Sequence, residues 1–156
     1  MHLVRQEWIT RDSTHLYVAN YSQSNNESTV TKVKMSDMTR VEKVTLTGVI
    51  HAHGMTCDDT YLYITTLTSP IKVMKVKMSD LGLEGPYSVN TAGANNYGAT
   101  SITSDNEHLY MVTYSDLVNV IKLRKSDIAQ TGILILGENN GSAVTDDGTY
   151  LYVVNN

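Results

Sequence analysis

Apolar and polar residues alternate along several short stretches of this chain, as expected for strands that bury one face. In the stretch from Ser28 to Met35, for example, every second residue falls on the same face of the predicted strand. Similar runs recur along the chain, separated by residues that favour turns. No stretch has helical periodicity over a useful length. The pattern therefore predicts an all-β fold.

One hairpin signature recurs four times, at residues 9–17, 55–63, 102–110 and 144–152. It consists of an aliphatic or Met residue, Thr, any residue, Asp, two turn residues, His or Tyr, and then Leu-Tyr. The signature Asp residues stand 46, 47 and 42 positions apart, at Asp12, Asp58, Asp105 and Asp147. A period in this range indicates a repeat architecture.

Each signature predicts two strands, A and B, joined by a tight turn in which the Asp side chain bonds its own backbone. Two further runs, C and D, follow the first three signatures, and the letters KVKMSD occur in strand C at both 32–37 and 75–80. Four short strands per unit at this period are typical of a β-propeller blade. The predicted strands are 7–10, 15–21, 28–35 and 41–47; 51–57, 61–68, 71–78 and 84–90; 99–104, 108–114, 117–124 and 131–136; and 142–145 and 150–154.

We therefore predict a partial β-propeller, with three four-stranded antiparallel blades and the inner two strands of a fourth. The blade units run from about 4–48, 49–93, 94–138 and 139–156, and residues 1–156 form a single domain. Small residues stand four and six positions before the signature Asp in units 2 to 4, as expected where inner strands crowd near a ring axis. Unit 1 carries Trp8 and Gln6 there instead, as expected of a terminal unit.

The letters LYVAN at 16–20 and LYVVN at 151–155 resemble the YVTN-type propeller repeat, and the Val-rich strand that ends at Gly48 fits the same family. The middle copies, LYITT at 62–66 and LYMVT at 109–113, lack the Asn. The resemblance implies a propeller that is typically seven-bladed and a location on a microbial surface or outside the cell. It implies blade geometry much better than it implies an activity.

Composition excludes some classes of partner. The formal charge of -4 argues against a general nucleic-acid binder, which would carry a basic surface. The longest apolar run, 133–136, is too short to span a bilayer, and no signal peptide is visible. The one cysteine, Cys57, excludes an intrachain disulfide, and we expect its role to be structural.

The most suggestive candidate site is formed by His51 and His53. Two His residues at i and i+2 on a strand point the same way, and imidazole is a common ligand of transition metals. Glu7 holds the position equivalent to His53 in unit 1, so in a ring its carboxylate is expected to converge with the two His residues at the channel mouth. A divalent metal at His51 and His53 is the one cofactor this pattern suggests. The alternative is a set of polar residues that line the channel mouth without a metal.

The recurring Asp and Tyr residues have a functional and a structural interpretation. A calcium site needs several oxygen ligands at close spacing, whereas only one Asp recurs, so we expect the Asp residues to cap turns. We expect the signature tyrosines to be packing residues rather than a sugar-binding set; they are Tyr17, Tyr63, Tyr110 and Tyr152. The basic residues of the C strands are expected to form a solvated face that discourages edge pairing; they are Lys32, Lys34, Lys75, Lys77, Lys122 and Arg124.

Three blades and two strands do not close a ring, because propellers have about four to eight blades. We expect the partners to be other propeller blades, supplied by a longer chain or by further copies of this one, with a protein or a glycan as a further candidate ligand. The leading hypothesis is a non-catalytic binding or scaffold module. The alternatives are a metal-assisted lyase or hydrolase at the channel mouth and a pure self-assembly protein. No catalytic signature is visible, which favours a non-enzyme and leaves the question open.

Overall fold

The structure is a computed structural model that describes residues 4–23, 25–91 and 96–155, with side chains for 8–23, 25–91 and 97–155. Within these residues every regular element is a strand. The strands are β1 (Val4–Arg11), β2 (His15–Ser22), β3 (Glu27–Lys34), β4 (Arg40–Thr45), β5 (Ala52–Cys57), β6 (Tyr61–Thr66), β7 (Ile71–Lys77), β8 (Leu83–Val89), β9 (Asn96–Ser104), β10 (His108–Ser115), β11 (Asn119–Arg124), β12 (Gln130–Ile135), β13 (Gly141–Asp146) and β14 (Leu151–Asn155). None of the described residues forms a helix that could cross a membrane.

The strands form four antiparallel sheets, which we call blades 1 to 4. Blade 1 consists of β1 to β4, blade 2 of β5 to β8 and blade 3 of β9 to β12, with the strands of each blade in chain order. Over the described residues blade 4 consists of β13 and β14. The prediction of three four-stranded sheets and one two-stranded sheet is confirmed.

The innermost strand of every blade carries a β-bulge at the same place. The extra residues are Glu7, His53, Thr100 and Ser142. A bulge breaks the alternation of faces and re-aims a side chain. This explains why β1 and β9 extend beyond the bulge to Val4 and Asn96, whereas alternation predicted that they begin at 7 and 99.

The apolar core lies between the blades, because each blade is a single sheet with two faces to cover. We call the face that contacts the preceding blade the front face, and the face that contacts the following blade the back face. Each seam between two blades buries a back face against a front face. The clusters join Tyr17, Ala19 and Val30 of blade 1 to Leu62, Ile64 and Met74 of blade 2; Tyr63 and Val73 of blade 2 to Leu109, Met111 and Ile121 of blade 3; and Val112 and Val118 of blade 3 to Val144 of blade 4.

The inner strands approach one another so closely that small residues are required. A Cβ atom at Gly54 would lie 3.1 Å from the Cα atom of Ser101 in the next blade, and one at Gly141 would lie 2.5 Å from Val112 Cγ2. Polar groups also join these strands, since Thr100 Oγ1 donates to the carbonyl of Gly141 at 2.8 Å. The crowding accounts for the small residues that recur in strand A.

Candidate functional site

The signature Asp residue closes the turn between the first two strands of each blade. In blade 1, Asp12 Oδ1 accepts hydrogen bonds from the backbone N–H groups of Thr14 and His15, both at 2.6 Å. Its second oxygen, Oδ2, accepts a bond from the hydroxyl of Tyr17 at 2.9 Å. The carboxylate therefore ties the turn to the following strand.

The same arrangement recurs in the other three blades. The bonds from the tyrosine hydroxyl to Asp Oδ2 measure 2.8 Å from Tyr63 to Asp58, 2.7 Å from Tyr110 to Asp105 and 2.6 Å from Tyr152 to Asp147. Burial alone would raise the pKa of Asp105, but bonds from Tyr110 and from two backbone N–H groups outweigh it and lower the pKa to about 2. Burial beside this carboxylate raises the pKa of Tyr110 to about 12. In each of the four Asp–Tyr pairs, which line one rim of the stack of blades, an ionised Asp therefore accepts a bond from a neutral tyrosine hydroxyl.

The depressed pKa of Asp105 predicts a loss of stability in acid. The pKa of this carboxyl falls from an ordinary 3.8 to about 2 on folding, so its contribution is fully present above 3.8 and is lost as the pH falls towards 2. We expect the urea midpoint to fall between about pH 4 and pH 2, and the fall to be shallower in Asp105→Asn. Urea titrations of both proteins across this range test this. Parallel curves for the two proteins would contradict it.

One lysine side chain of each third strand lies near a tyrosine ring, whereas Lys34 and Lys77 are exposed. Lys75 is buried, with its Nζ 4.2 Å from the centre of the Tyr61 ring and 3.2 Å from Glu84 Oε2. Lys32 Nζ donates to the carbonyl of Met78 in the next blade at 2.8 Å. The prediction of a wholly solvated basic face is therefore wrong for Lys75, and Lys32 helps to join two blades.

Lys125 joins blades 2 and 3 across their seam. Its Nζ lies 3.4 Å from Asp58 Oδ2 and 5.5 Å from the centre of the Tyr63 ring, and the residue is 9% exposed. The pKa of Asp58 would be raised by burial, but backbone and Tyr63 hydrogen bonds and the charge of Lys125 lower it. At the equivalent place in the preceding seam stands Met78, which is also buried.

We expect Lys125→Met to be well tolerated. The substitution removes one partner of the ion pair, but Asp58 is partly exposed and keeps its hydrogen bonds from two backbone N–H groups and from Tyr63. Met78 already fills the equivalent position, so the free energy of unfolding should change by less than about 1.5 kcal/mol. Lys125→Glu, which places a second negative charge beside Asp58, should cost about 3 kcal/mol. Urea unfolding of the two variants at neutral pH measures the difference. A loss as large in Lys125→Met as in Lys125→Glu would contradict this account of the seam.

Two grooves follow the seams at the rim that carries the Asp–Tyr pairs. The groove between blades 2 and 3 has a volume of about 1060 Å³, and the groove between blades 1 and 2 has a volume of about 650 Å³. Asp58, Asp59 and Thr60 contribute to both grooves. Both are open and lined by polar residues with charges of both signs, so the charge of neither groove selects one class of ligand.

The predicted His pair lies at the start of the inner strand β5, with His51 just before it and His53 within it, and the two rings have different neighbours. His51 precedes β5 and has a φ of 52°, so the alternation argument, which needs both residues in one regular strand, does not apply to it. Its ring meets the edge of the Tyr21 ring at 4.0 Å between centroids, whereas the His53 ring lies 6.0 Å from that of Trp8. His53 Nδ1 lies 2.9 Å from the carbonyl oxygen of Thr100. The side chain of Glu7 lies outside the described residues.

Metal-ligating side chains do not gather in the part of the chain that the structure describes. No group of three or more His, Cys, Asp or Glu residues there has the arrangement of a metal site. Cys57 Sγ lies 3.4 Å from the carbonyl oxygen of Arg11 and 3.5 Å from Thr10 Oγ1, both in the preceding blade. Cys57 thus contributes to the seam between blades 1 and 2. A metal bound by His51 and His53 stays a prediction.

Blade 1 has an open front face. The first signature residue of a blade belongs to its front face, and in blades 2 to 4 this residue (Met55, Ile102 or Val144) is at most 6% exposed. The equivalent Ile9 is 49% exposed. The turn between the third and fourth strands repeats the contrast, because Leu81 and Ile128 are buried, whereas the equivalent Met38 is 67% exposed.

Blade 4 has an open back face. The signature tyrosine belongs to the back face, and it is buried in blades 1 and 2, half-buried in blade 3 and 52% exposed, as Tyr152, in blade 4. Two positions further along, Ala19, Thr65 and Val112 are fully buried, whereas Val154 is 55% exposed. The apolar positions that form the internal seams therefore recur at both ends of the stack, where no partner blade among the described residues covers them.

Comparison with solved structures gives the class of fold. The β-propeller domain of Cps50 (Swd1) from Myceliophteria thermophila matches 99% of this chain and 51% of its own chain, with a TM-score of 0.70 and 8% identity. The WD40 repeats of RRP9 match 91% of this chain and 47% of theirs, with a TM-score of 0.63 and 9% identity. The dihydro-heme d1 dehydrogenase NirN matches 96% of this chain and 32% of its own, with a TM-score of 0.63 and 13% identity.

The chain has the fold of a β-propeller, as the sequence pattern predicted, and its structural neighbours include WD40-repeat propellers. It spans about half, or less, of the length of these neighbours. No family model and no curated protein matches it, so membership of the YVTN-type family stays a prediction. Identities this low show the fold alone.

Proposed function

We propose that this chain is a non-catalytic binding and scaffold module that takes further propeller blades at its two open faces. The observation that carries the proposal is the exposure at equivalent positions. Side chains that every internal seam buries, such as those at the positions of Ile9 and Val154, are about half exposed at the ends of the stack. Apolar side chains that are exposed at these positions, and buried at the equivalent positions of the internal seams, indicate a site of interaction.

The two open faces are complementary to each other. Each internal seam joins a back face to a front face, and the open faces carry the same kinds of residue at the same positions. An interface between two different patches is heterologous, so it leads either to a closed ring or to a continuing stack. A further blade would contact the same residues of an open face whether it came from a longer chain or from another copy of this one.

The fold comparison supports the same proposal. The propeller domain of Cps50 and the WD40 repeats of RRP9 are each about twice as long as the part that this chain matches. A ring of that size needs blades beyond those described here. The rings of His51 and His53 meet two different aromatic residues, so the geometry favours a binding module over a metal-assisted lyase or hydrolase.

Sedimentation velocity at several concentrations tests the proposal. Ile9→Asp places a charge on the open front face, and Val154→Asp places one on the open back face. We expect each to weaken self-association by at least about tenfold, because an unpaired charge would be desolvated in the seam. Ile50→Asp is the matched control, since Ile50 is 41% exposed and lies in the connection between β4 and β5, away from the positions that define both open faces. Equal weakening in all three variants would overturn the proposal.

A further inference from the structure

Strand β14 has one free edge over the described residues. It pairs with β13 on one side, whereas the equivalent strands of the other blades, β2, β6 and β10, pair on both sides. The carbonyl of Tyr150 accepts a hydrogen bond from the N–H of Asp147, so the backbone groups of this residue face β13. Successive residues of a strand direct these groups to opposite sides. The backbone groups of Leu151 and Val153 therefore face the free edge.

The three internal partners of this edge share one sequence pattern. In blade 1, Val30 lies opposite Ala19, Lys32 opposite Tyr17 and Val33 opposite Leu16. Blades 2 and 3 keep the same register, with the Lys opposite the signature tyrosine in each. The partner strand reads VTKV at 30–33, VMKV at 73–76 and VIKL at 120–123. The common pattern is Val, an apolar residue or Thr, Lys, and then Val or Leu.

We propose that the free edge of β14 binds an antiparallel strand of this Val-x-Lys-Val/Leu pattern, with its Lys opposite Tyr152 and its Val opposite Val154. The inference rests on the proposed function and names the segment that one open face takes. Strand addition of this kind gains main-chain hydrogen bonds along the edge, and the side chains set the register. The occupant takes the place of the third strand of blade 4, which β3, β7 and β11 hold in the other blades.

The three strands of this pattern within the chain cannot be the occupant in the folded protein. Each of them, β3, β7 and β11, already pairs with a neighbour on both sides. A folded second copy therefore offers no free strand of this kind. The segment must come from outside the three complete blades.

The side chains around the edge provide a place for such a strand. Leu134 in the fourth strand of blade 3 is 58% exposed. The equivalent residues are Val44 in blade 1 and Tyr87 in blade 2. Each of these packs against the apolar cluster of its seam, to which the third strand of the next blade contributes. The alternate apolar residues of an added strand would cover Leu134. The added Lys would lie over the Tyr152 ring, as Lys32 lies 5.7 Å from the centre of the Tyr17 ring and Lys122 lies 5.4 Å from that of Tyr110. The unpaired edge of β14 and the exposed side chain of Leu134 thus point to the same occupant.

A peptide of residues 28–46, which carries the third and fourth strands of blade 1, serves as the probe. Labelled with a fluorophore and titrated with the whole chain, it should show saturable one-to-one binding by anisotropy. A control peptide with Val30→Glu and Lys32→Glu keeps the length but loses both residues that set the register. It should bind at least about tenfold more weakly, and equal binding of the two peptides would overturn the proposal.

Variants of the chain locate the binding edge. Val153→Pro removes one N–H that faces the free edge, and should weaken peptide binding by at least about tenfold. Tyr152→Asp changes an exposed residue on the same edge, and tests the proposal independently if Val153→Pro does not fold. Unchanged binding in a folded variant would overturn the proposal. If self-association persists while the peptide does not bind, strand pairing is refuted and the proposed function stands; loss of both refutes the proposed function.

Discussion

Replacing Tyr63 with Ala should remove about 4 kcal/mol from the free energy of unfolding, the usual cost of deleting a large buried aromatic ring. Tyr63 is 2% exposed and belongs to the cluster between blades 2 and 3. Its hydroxyl donates to Asp58, and the Nζ of Lys125 lies 5.5 Å from the centre of its ring. The substitution therefore opens a cavity in the seam and removes one of the bonds that hold the turn. Urea unfolding at a concentration at which the chain is monomeric measures the loss.

Tyr152→Ala is the matched control for this prediction. Tyr152 holds the same position and makes the same bond to its signature Asp, but 52% of it is exposed. We expect its replacement to cost only a small fraction of the Tyr63 effect, because no following blade covers the ring over the described residues. Similar losses in the two variants would mean that the stability arises within each sheet and not between the blades.

Gly98→Ala should be among the most damaging single substitutions in the chain. Gly98 has a φ of +129°, a conformation that L side chains rarely adopt, and an added Cβ atom would lie 2.3 Å from the Cα atom of Leu67 in the preceding blade. The backbone of Leu67 cannot turn aside as a flexible side chain could. We expect a loss of about 4 kcal/mol or more, a size reserved for severe steric or packing defects.

The control for Gly98→Ala separates backbone strain from the clash. Gly148 also has a positive φ, of +86°, but an added Cβ atom there would meet nothing within 4 Å. Gly148→Ala should therefore show the strain alone, about 1 kcal/mol. Thermal unfolding of both variants, followed by circular dichroism, measures the two effects. A loss in Gly98→Ala no larger than that in Gly148→Ala would contradict the close approach of blades 2 and 3.

Local chemistry predicted the hairpins and the blades because it acts over short distances in the chain. Asp12 accepts bonds from residues two and three positions further on, so the turn that it forms is visible in the letters alone. Alternation then predicted strands on either side, and the recurrence of the same turn predicted the blades.

Contacts between blades were less predictable, because alternation shows which residues share a face and not what covers that face. Lys75 and Lys125 look like solvent-exposed residues in the sequence, yet both are buried against tyrosine rings. The bulge at His53 was also missed, since one extra residue in a strand leaves no signal in composition. The Gly and other small residues next to it were the available clue. The positive φ of His51 has no counterpart in the sequence pattern.

The central claim of this account is that each open face is one half of an inter-blade seam. Native mass spectrometry of Ile9→Asp and Val154→Asp, first alone and then mixed, tests it most directly. Ile9→Asp keeps an intact back face and Val154→Asp keeps an intact front face. Each variant alone should therefore be monomeric, because its own two faces no longer match.

The mixture should form one new species, a heterodimer of twice the 17.3 kDa chain mass, and should stop there because both remaining faces carry a charge. Higher assemblies should be restored only in the unmodified chain. A mixture that stays monomeric while the unmodified chain self-associates would contradict the pairing of front face with back face. An unmodified chain that is monomeric at every concentration would contradict the supply of the missing blades by further copies of this chain.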